Sequence, residues 1–529
     1  MEFDYVIVGA GTAGCALANR LTENGKHQVL LLEAGKHDLY HWIHIPVGYL
    51  YCIDNPRTDW RFRTQAQPKL NGRSLIYPRG KVLGGCSSIN GMLYLRGQAA
   101  DYDQWAELGN DGWRWQDVLP YFKKSEDYHA GADEFHGQGG PWRVDKQRLR
   151  WDVLEDFQAG CVEQGIPASN DFNRGDNFGV GYFEVNQRKG WRWNTAKAFL
   201  RPAKNRPNLT VLTQAQALML SFDGQRVSGV EIVHKGQRKT VSARAETILT
   251  SGAIGSPALL QHSGIGPAAH LQSLGIEVKH DAPDVGHNLQ DHLQIRCAYK
   301  LKNAKTLNTM ANSLIGQMMI GLEYVLKRTG PMSMAPSQLG AFAYSNDSVD
   351  RPDLEYHVQP LSLEAFGQPL HEFPAMTASV CHLRPESRGT VLIQSANPMD
   401  APAIDPNYLA TEGDRQVAAN AIRLTRRLMG SAAMQKYSPI EFKPGDEFQS
   451  DEELAIAAGQ IASTIFHPVG TARMGSDDRS VVDPTLKVRG VQGLRVVDAS
   501  VMPLITSGNT NSPTLMIAEK AADLILSGR

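Results

Sequence analysis

Cysteine is scarce in this chain of 529 residues. The six cysteines are widely separated, and no two of them form a C-x-x-C pair; they are Cys15, Cys52, Cys86, Cys161, Cys297 and Cys381. This spacing argues against a zinc site and against a disulfide framework. We therefore predict buried free thiols in a reducing cytosol, and no bound metal.

Long apolar runs and an excess of either charge are also lacking. No segment has about 18 or more consecutive apolar residues, so no membrane-spanning helix is predicted. The formal net charge is −1 and no run of Lys and Arg stands out, which argues against nucleic acid as a partner. The first predicted strand begins almost at the first residue, so we expect a cytoplasmic protein without a signal peptide.

The nearest approach to an apolar run is the stretch 314–326, where Leu, Ile, Met and Val alternate with polar residues. This pattern predicts an amphipathic helix in the core or in a lid. The alternative is peripheral contact with the inner membrane through the apolar face of this helix. No internal repeat or low-complexity segment is visible.

The most informative stretch lies near the start of the chain. Residues 5–8 (YVIV) predict a buried strand, and residues 9–14 (GAGTAG) form a complete G-x-G-x-x-G run. A helical apolar pattern follows as far as Gly25, and residues 29–32 (VLLL) predict a second strand that ends at Glu33. This strand, turn, helix and strand order is typical of a dinucleotide-binding fold.

Each conspicuous residue of this stretch has a physical role in such a fold. Gly9 permits the tight turn, Gly11 lets the backbone approach a pyrophosphate, and Gly14 allows close packing of helix and strand. Glu33 is placed to accept hydrogen bonds from the adenosine ribose, and its charge argues against NADP. The motif does not separate FAD from NAD, and a strand–turn–helix without any ligand is the simpler alternative.

A second glycine-rich segment lies at residues 80–92 (GKVLGGCSSINGM). Adjacent glycines followed by small hydroxylated residues predict a loop that can approach a flat ligand closely and offer it backbone donors. Residues 87–90 (SSIN) are predicted to start another helix.

Together these two segments resemble the glucose–methanol–choline (GMC) family of flavin oxidoreductases. The run G-x-x-L-G-G-x-S-S-x-N at 80–90 is one diagnostic stretch of that family, and SGAIGSP at 251–257 is the second. Further matches follow in the family's order at 285–292 (VGHNLQDH), 405–409 (DPNYL), 467–471 (HPVGT) and 497–500 (VDAS). Within the family the chain most resembles bacterial FAD-dependent alcohol and choline dehydrogenases.

The resemblance implies an α/β (α+β) fold with a Rossmann-like FAD-binding domain and a second, antiparallel-sheet substrate domain. Residues 1–297 are expected to form the FAD-binding domain, with 154–194 lying over the substrate site. Residues 298–456 are expected to form the substrate domain, and 457–529 to return to the FAD-binding domain with the catalytic residues.

Alcohol oxidation needs a base of near-neutral pKa that accepts the hydroxyl proton, and histidine is the usual choice. His467 lies between bulky apolar residues and a Pro-Val-Gly turn, and the resemblance implies that it is the catalytic base. The companion position in the family is His or Asn, and here it is Asn509, whose amide would hold the alcohol oxygen. Ser512 and Pro513 predict the start of a helix whose positive end would face the reduced flavin.

The resemblance also implies a set of residues around the flavin. They are Gly9, Gly11, Thr12, Ala13, Gly14, Glu33, Ala34, Val82, Gly84, Gly85, Ser88, Asn90, Gly91, Met92, Leu93, Ala217, Gly252, Asp498, Ala499, Asn509, Thr510 and Asn511. Some family members attach FAD covalently through a histidine at the position of Ile89. An isoleucine cannot form that bond, so non-covalent FAD is predicted.

The predicted activity is oxidation of a primary alcohol to the aldehyde, with hydride transfer to flavin N5. A choline substrate would need a carboxylate and an aromatic box, for which Glu323, Glu364 and Phe366 are candidates. The Met- and Leu-rich segment 314–334 favours a neutral primary alcohol instead. Either oxygen or a quinone could reoxidise the flavin. A lyase of the same fold, similar to hydroxynitrile lyases, and a flavin-binding protein without turnover are the alternatives.

Overall fold

The structure is a computed structural model that describes residues 2–364 and 367–529. The described residues form two seven-stranded sheets. Their strands in chain order are β1 (Glu2–Val8), β2 (Val29–Leu32), β3 (Gly179–Tyr182), β4 (Leu209–Leu212), β5 (Ala215–Asp223), β6 (Arg226–His234), β7 (Gln237–Leu249), β8 (Leu293–Lys300), β9 (Leu339–Ala343), β10 (Leu354–Gln359), β11 (Ala375–His382), β12 (Ile440–Lys443), β13 (Ser463–Thr464) and β14 (Leu494–Val496).

Helices cover both sheets. The longer α-helices are α1 (Thr12–Thr22), α2 (Ala99–Glu107), α3 (Trp115–Ser125), α4 (Asp152–Glu163), α5 (Gly252–His262), α6 (Ala268–Ser273), α7 (Leu307–Ala311), α8 (Leu314–Lys327), α9 (Glu412–Met429), α10 (Asp451–Ile461) and α11 (Asn511–Leu526). Short ribbons and single helical turns occupy most of the connections.

The first sheet has the strand order β4-β2-β1-β7-β6-β5, with β14 paired to β7. Strands β4, β2, β1, β7 and β14 are parallel to one another, whereas β6 pairs antiparallel with β7, and β5 pairs antiparallel with β6. The side chains of β2 are all buried, which accounts for its uninterrupted VLLL sequence. The carboxyl ends of β1, β2 and β7 meet at one edge, which brings Gly9, Glu33 and Thr250 together.

The second sheet has the order β12-β8-β11-β10-β9-β3 and is antiparallel throughout, with β13 paired to β8. Strand β3, from the 154–194 segment, adds to the edge of β9. The helices α4 and α9 contribute buried side chains to the same core as this sheet. The three-part division of the chain stays a prediction. Strand β3 and the first residues of β8 lie before residue 298 and belong to the second sheet.

The first and last long helices pack against each other beside the first sheet. Arg20 of α1 forms two hydrogen bonds, each 2.8 Å, with the Glu519 carboxylate of α11, and Glu519 is fully buried. Thr12 donates a hydrogen bond of 2.7 Å to the side-chain oxygen of Asn511. Both ends of the chain therefore build the same face of the dinucleotide fold.

Three local predictions from sequence are wrong. The apolar side chains of α8 do not enter the core: Leu314 and Ile315 are 79% and 75% exposed. Helix α11 begins at Asn511 with Thr510 as its N-cap, so Ser512 lies in the first turn and is not the cap. Residues 87–90 do not start an α-helix. Ser87 and Ser88 end a 3-10 turn (Gly85–Ser88), in which the Ser87 hydroxyl donates to the Gly84 carbonyl oxygen.

Candidate active site

A cavity of about 840 Å³ is lined by residues of both sheets. Most of the residues predicted to surround a flavin line it, as does His467. They are Gly9, Gly11, Thr12, Ala13, Glu33, Ala34, Gly85, Asn90, Gly91, Met92, Leu93, Ala217, Gly252, Asp498, Ala499, Asn509, Thr510 and Asn511. Gly14, Val82, Gly84 and Ser88 lie behind this lining.

Glu33 lies at the end of the cavity formed by the first sheet. Its carboxylate accepts hydrogen bonds from the backbone N–H groups of Ala10 (3.0 Å) and Gly35 (2.7 Å). Burial raises the pKa of this carboxyl to about 7, although both hydrogen bonds and the charge of Lys81 act in the opposite direction. The two backbone donors hold the carboxylate at the carboxyl end of β2, where a ribose hydroxyl can reach its remaining lone pairs.

The glycines of the first turn differ in what surrounds them. A Cβ atom at Gly14 would lie 1.9 Å from the carbonyl oxygen of Gly9, so helix and strand are in direct contact there. A Cβ atom at Gly11 would meet only the Thr250 carbonyl oxygen, at an ordinary 3.9 Å. One at Gly85 would lie 2.6 Å from the Cα atom of Gly11, so the second glycine loop packs directly on the first.

Two predicted residues, Ser88 and Asp498, form hydrogen bonds that fix the shape of the site. The Ser88 hydroxyl donates to the Leu83 carbonyl oxygen (2.7 Å) and accepts from the Asn194 amide (2.8 Å). The Asp498 carboxylate accepts from the Gly252 N–H (2.8 Å) and the Ser256 hydroxyl (2.6 Å) at the start of α5. These bonds fix the second glycine loop and the start of α5 against the cavity.

The start of α11 presents polar atoms that lack a partner. The Asn509 Oδ1 and Asn511 Nδ2 atoms are buried and form no hydrogen bond with any described residue. Buried polar atoms normally have a partner, so these two call for a polar ligand in the cavity. Together with the backbone donors at the starts of α1 and α11, they fit an elongated group with phosphates at one end and a polar ring at the other.

Hydrogen bonds from the backbone of Phe466 and His467 to nearby side chains fix the position of His467. Its N–H donates to Asp291 Oδ1 (2.7 Å), and the Thr464 hydroxyl oxygen accepts from the Phe466 N–H (2.8 Å). Phe466 has a φ of 70°, a left-handed conformation that is uncommon for a bulky residue. Asp291 belongs to the stretch 285–292 that resembles the family, but nothing local in the sequence shows that it reaches the backbone of His467.

The hydrogen bonds of His292 determine the tautomer of His467. His292 Nε2 lies 3.0 Å from the Leu383 carbonyl oxygen, which can only accept, so we assign the His292 proton to Nε2. His292 Nδ1 is then the acceptor, and it lies 3.0 Å from His467 Nδ1, which must donate. His467 Nε2 is therefore left with a lone pair, 3.0 Å from the Asn509 amide nitrogen.

The electrostatics of the site keep His467 neutral. Burial is the largest cause that lowers its pKa well below the ordinary value, and the nearby His292, His357 and Arg79 lower it further. Burial lowers the pKa of His292 as well. A neutral imidazole with an unprotonated Nε2 facing the cavity can accept a proton.

Comparison with known proteins identifies the family. Two models described as GMC oxidoreductase match residues 3–294 and 385–518. The chain is 41% identical over 530 residues to an alcohol dehydrogenase [acceptor] from Pseudomonas putida, covering 99% of this chain and 96% of the relative. It is 40% identical over 528 residues to an oxygen-dependent choline dehydrogenase from Brucella suis biovar 1 (strain 1330), with the same coverage.

A solved structure has the same fold as this chain. A formate oxidase variant from Aspergillus oryzae RIB40, studied for its effect on FAD modification, superposes with a TM-score of 0.92 at 29% identity. The match covers 100% of this chain and 98% of that one. The predicted family, fold class and enzyme class are confirmed, and FAD is supported as the cofactor. The chain therefore belongs to the GMC oxidoreductase family and is an FAD-dependent oxidoreductase acting on CH–OH donors.

Proposed function

We propose that this protein oxidises a primary alcohol to the aldehyde, with His467 as the base. The observation that carries the proposal is the unprotonated Nε2 of His467, which lies beside Asn509 at the cavity that the dinucleotide motif also lines. When bound, FAD supplies the hydride acceptor, N5 of its isoalloxazine ring. Glu33 would hold the ribose, and Gly11 with the start of α1 would hold the pyrophosphate.

The residues at the far end of the cavity divide the remaining work. His467 Nε2 accepts the proton of the substrate hydroxyl, and its Nδ1–H stays hydrogen-bonded to His292 throughout. The amide of Asn509 holds the substrate oxygen beside this base. The N–H groups at the start of α11 stabilise negative charge at this end of the cavity.

FAD attachment in this proposal is non-covalent. Ile89 is 3% exposed and packs among Ile43, Cys52 and Val82, and it offers no nucleophile to a flavin.

A lyase of the same fold would use the same histidine without redox chemistry. The relatives found by comparison carry the names of dehydrogenases, which disfavours a lyase. A protein that only binds flavin is disfavoured because His467 and Asn509 are in hydrogen-bond contact beside the cavity.

One experiment separates these functions. The purified yellow protein is mixed with primary alcohols in the absence of oxygen. We expect it to lose the visible absorbance of its oxidised flavin and to form the aldehyde. Aldehyde release from a cyanohydrin without bleaching would establish a lyase, and the absence of both would leave a binding protein. Reoxidation with oxygen and then with an artificial quinone identifies the electron acceptor.

The residues that the sequence offered for binding choline do not form a choline site among the described residues. Glu364 lines the cavity but forms ion pairs with Lys443 (2.8 Å) and His371 (3.6 Å). Glu323 accepts a hydrogen bond from Thr329 and does not line the cavity. Phe366 lies outside the described residues. The apolar residues at 314–326 do not line the cavity either, so the argument they gave for a neutral alcohol is wrong.

The exposed face of α8 supports peripheral membrane contact and a quinone as electron acceptor. Besides Leu314 and Ile315, it exposes Met318, Met319, Leu322, Val325 and Leu326. Lys327 and Arg328 end this helix, and Arg148 donates to the Arg328 carbonyl oxygen (2.9 Å). The Arg328 guanidinium also lies 4.5 Å from the ring centroid of Trp191, which is 36% exposed. An apolar face bordered by cations and a tryptophan fits an anionic lipid surface.

No helix in the described part of the chain combines the length and the apolarity needed to cross a bilayer. Contact with the cytoplasmic face of the inner membrane would therefore depend on α8. All six cysteines have free thiols, which is consistent with a reducing compartment on that side.

We expect the protein to sediment with vesicles of phosphatidylglycerol and phosphatidylcholine, and less with phosphatidylcholine alone. Replacing Met318 and Leu322 by Glu should reduce the bound fraction about tenfold or more, since each change places a charge on the face of α8 that would enter the lipid surface. Ile456→Glu is the matched control, because Ile456 is 50% exposed on α10. Equal sedimentation of all three proteins would contradict the membrane proposal.

A further inference from the structure

Four arginines line the cavity, and the mechanism uses none of them as a ligand; they are Arg63, Arg73, Arg79 and Arg296. Arg73 and Arg79 donate to backbone carbonyl oxygens, and Arg63 is exposed to solvent. Arg296 lies on β8 and lines the cavity, and its side chain is half-buried. It forms no hydrogen bond or ion pair with any described residue. Burial lowers the pKa of Arg296, but an arginine remains charged at any physiological pH. A charge that is partly removed from water and has no partner is costly, so a protein keeps one where a ligand supplies the opposite charge.

The carboxylates around the cavity do not supply that charge. Among the described residues, four carboxylates line it: Glu33, Glu364, Asp400 and Asp498. Glu33 and Asp498 accept backbone N–H groups, Glu364 pairs with a lysine, and Asp400 accepts from a serine and an asparagine of its own loop. None of them contacts Arg296.

The neutral groups near Arg296 also leave its charge intact. Tyr49 is close enough to affect its electrostatics, but burial raises the pKa of the Tyr49 hydroxyl, which therefore stays neutral. Gln294, Gln359 and Ser337 line the same cavity and can donate or accept hydrogen bonds without carrying a charge.

The position of Arg296 along β8 relates it to the base. Side chains alternate along a strand, so Gln294 and Arg296 point to the same face of the second sheet, and His292 comes directly before β8. His292 contacts His467, and the Cα atoms of His292 and Arg296 are about 13 Å apart at the usual rise of a strand. Arg296 is opposite Ser379, which is opposite His357, another cavity residue. The guanidinium thus lies on the second sheet, in the same cavity as His467 and away from the dinucleotide motif of the first sheet.

We propose that Arg296 binds a carboxylate at the far end of the alcohol, so that the substrate is a hydroxy acid with a primary hydroxyl group. This inference rests on the proposed alcohol oxidation and names its substrate class. A guanidinium matches a carboxylate through two parallel hydrogen bonds. The planar guanidinium of Arg296 has neutral amides and a hydroxyl as neighbours, and its charge repels a quaternary ammonium such as choline.

The first test uses the unaltered holoenzyme and a series of ω-hydroxy acids of about four to twelve carbons. Each acid is compared with its own methyl ester, which keeps the hydroxyl group and removes the charge. We expect kcat/KM for the best acid to exceed that of its ester by about 100-fold, the effect of a paired charge in a desolvated site. Equal values for acid and ester across the series would overturn the proposal and leave alcohol oxidation in place.

The second test changes the guanidinium. Arg296→Gln should lower kcat/KM for the acid about 100-fold and leave the ester within about threefold, because only the charged contact is lost. Arg296→Lys should recover part of the acid activity. Arg63→Gln is the matched control, since Arg63 is an exposed arginine that lines the same cavity. Equal losses in both Gln variants would indicate general attraction of anions and would overturn a direct contact.

A binding measurement separates this inference from the proposed function. An unreactive dicarboxylate of the preferred length, titrated calorimetrically into the holoenzyme, should bind to wild type and about 100-fold more weakly to Arg296→Gln. If that difference is found but no alcohol or hydroxy acid bleaches the flavin, the carboxylate site stands and alcohol oxidation fails. If Arg296→Gln instead loses FAD or changes the flavin spectrum without ligand, Arg296 serves the cofactor and the proposal is wrong.

Discussion

Replacing His467 by Ala is expected to slow anaerobic flavin reduction by the alcohol by about 10²–10⁴-fold, the usual contribution of a general base. The loss follows from the assigned hydrogen bonds, in which His467 Nε2 is the unprotonated nitrogen that faces the cavity. Stopped-flow absorbance measures the rate. Asn509→Ala, which removes one neutral hydrogen bond to the substrate oxygen, should cost only about 10-fold.

The control for this prediction is bound FAD. Both variants should retain it, since neither side chain lies at the Glu33 end of the cavity. His467→Gln should be as slow as His467→Ala, because the amide fills the position but cannot accept the proton at neutral pH. If His467→Ala reduces its flavin as fast as wild type, His467 is not the base.

The pH dependence of the same reaction is a second readout. Since the pKa of His467 lies well below the ordinary value of about 6.5, the base stays unprotonated as the pH falls through 6.5. The reduction rate should therefore hold through that range and decline only at lower pH, where Nε2 becomes protonated. In His467→Ala this decline should be absent. A wild-type rate that halves near pH 6.5 would mean that His467 is not desolvated in the holoenzyme.

The second large effect concerns two glycines of one motif. Gly11→Ala should weaken FAD binding about tenfold or more, whereas the free energy of unfolding of the apoprotein should change little. The added methyl group meets the protein only at an ordinary 3.9 Å contact, so it is free to occupy the space of the pyrophosphate. Gly14→Ala should instead destabilise the apoprotein by about 1–3 kcal/mol or more, because its Cβ would lie 1.9 Å from the Gly9 carbonyl oxygen.

Two measurements separate the glycines. Thermal melting of the apoproteins by circular dichroism reports stability, and flavin released by acid precipitation reports bound FAD. Flavin in the supernatant also tests non-covalent attachment, since yellow colour retained in the pellet would contradict it. The distinction between the two glycines fails if both variants lose FAD and stability to the same degree.

The parts predicted well from sequence are those encoded by neighbouring residues. The turn between β1 and α1 needs small residues at fixed spacing, and β2 needs a continuous apolar run, so residues 5–33 already show their structure. The role of His467 rests on its neighbours and on the family resemblance together, and it stays a prediction.

The parts that sequence did not predict depend on contacts between distant residues. His292 and His467 are 175 residues apart, and only the folded chain shows that one sets the tautomer of the other. The sequence does not single out Arg296, because the lack of a counter-ion becomes visible only when every neighbour of the guanidinium is known. The apolar pattern of residues 314–326 predicts a helix in the core or in a lid, and it does not predict the observed exposure, since periodicity shows that a helix has an apolar face but not what covers that face.

The pairing of α1 with α11 has a consequence for how this enzyme is made. A ribosome that has translated the dinucleotide motif has not yet produced the carboxylate that neutralises Arg20 or the amide that meets Thr12. The nascent chain can form β1, α1 and β2 early, but one side of α1 stays uncovered until α11 has been translated. We therefore expect a chain that lacks α11 to lack one side of its flavin site.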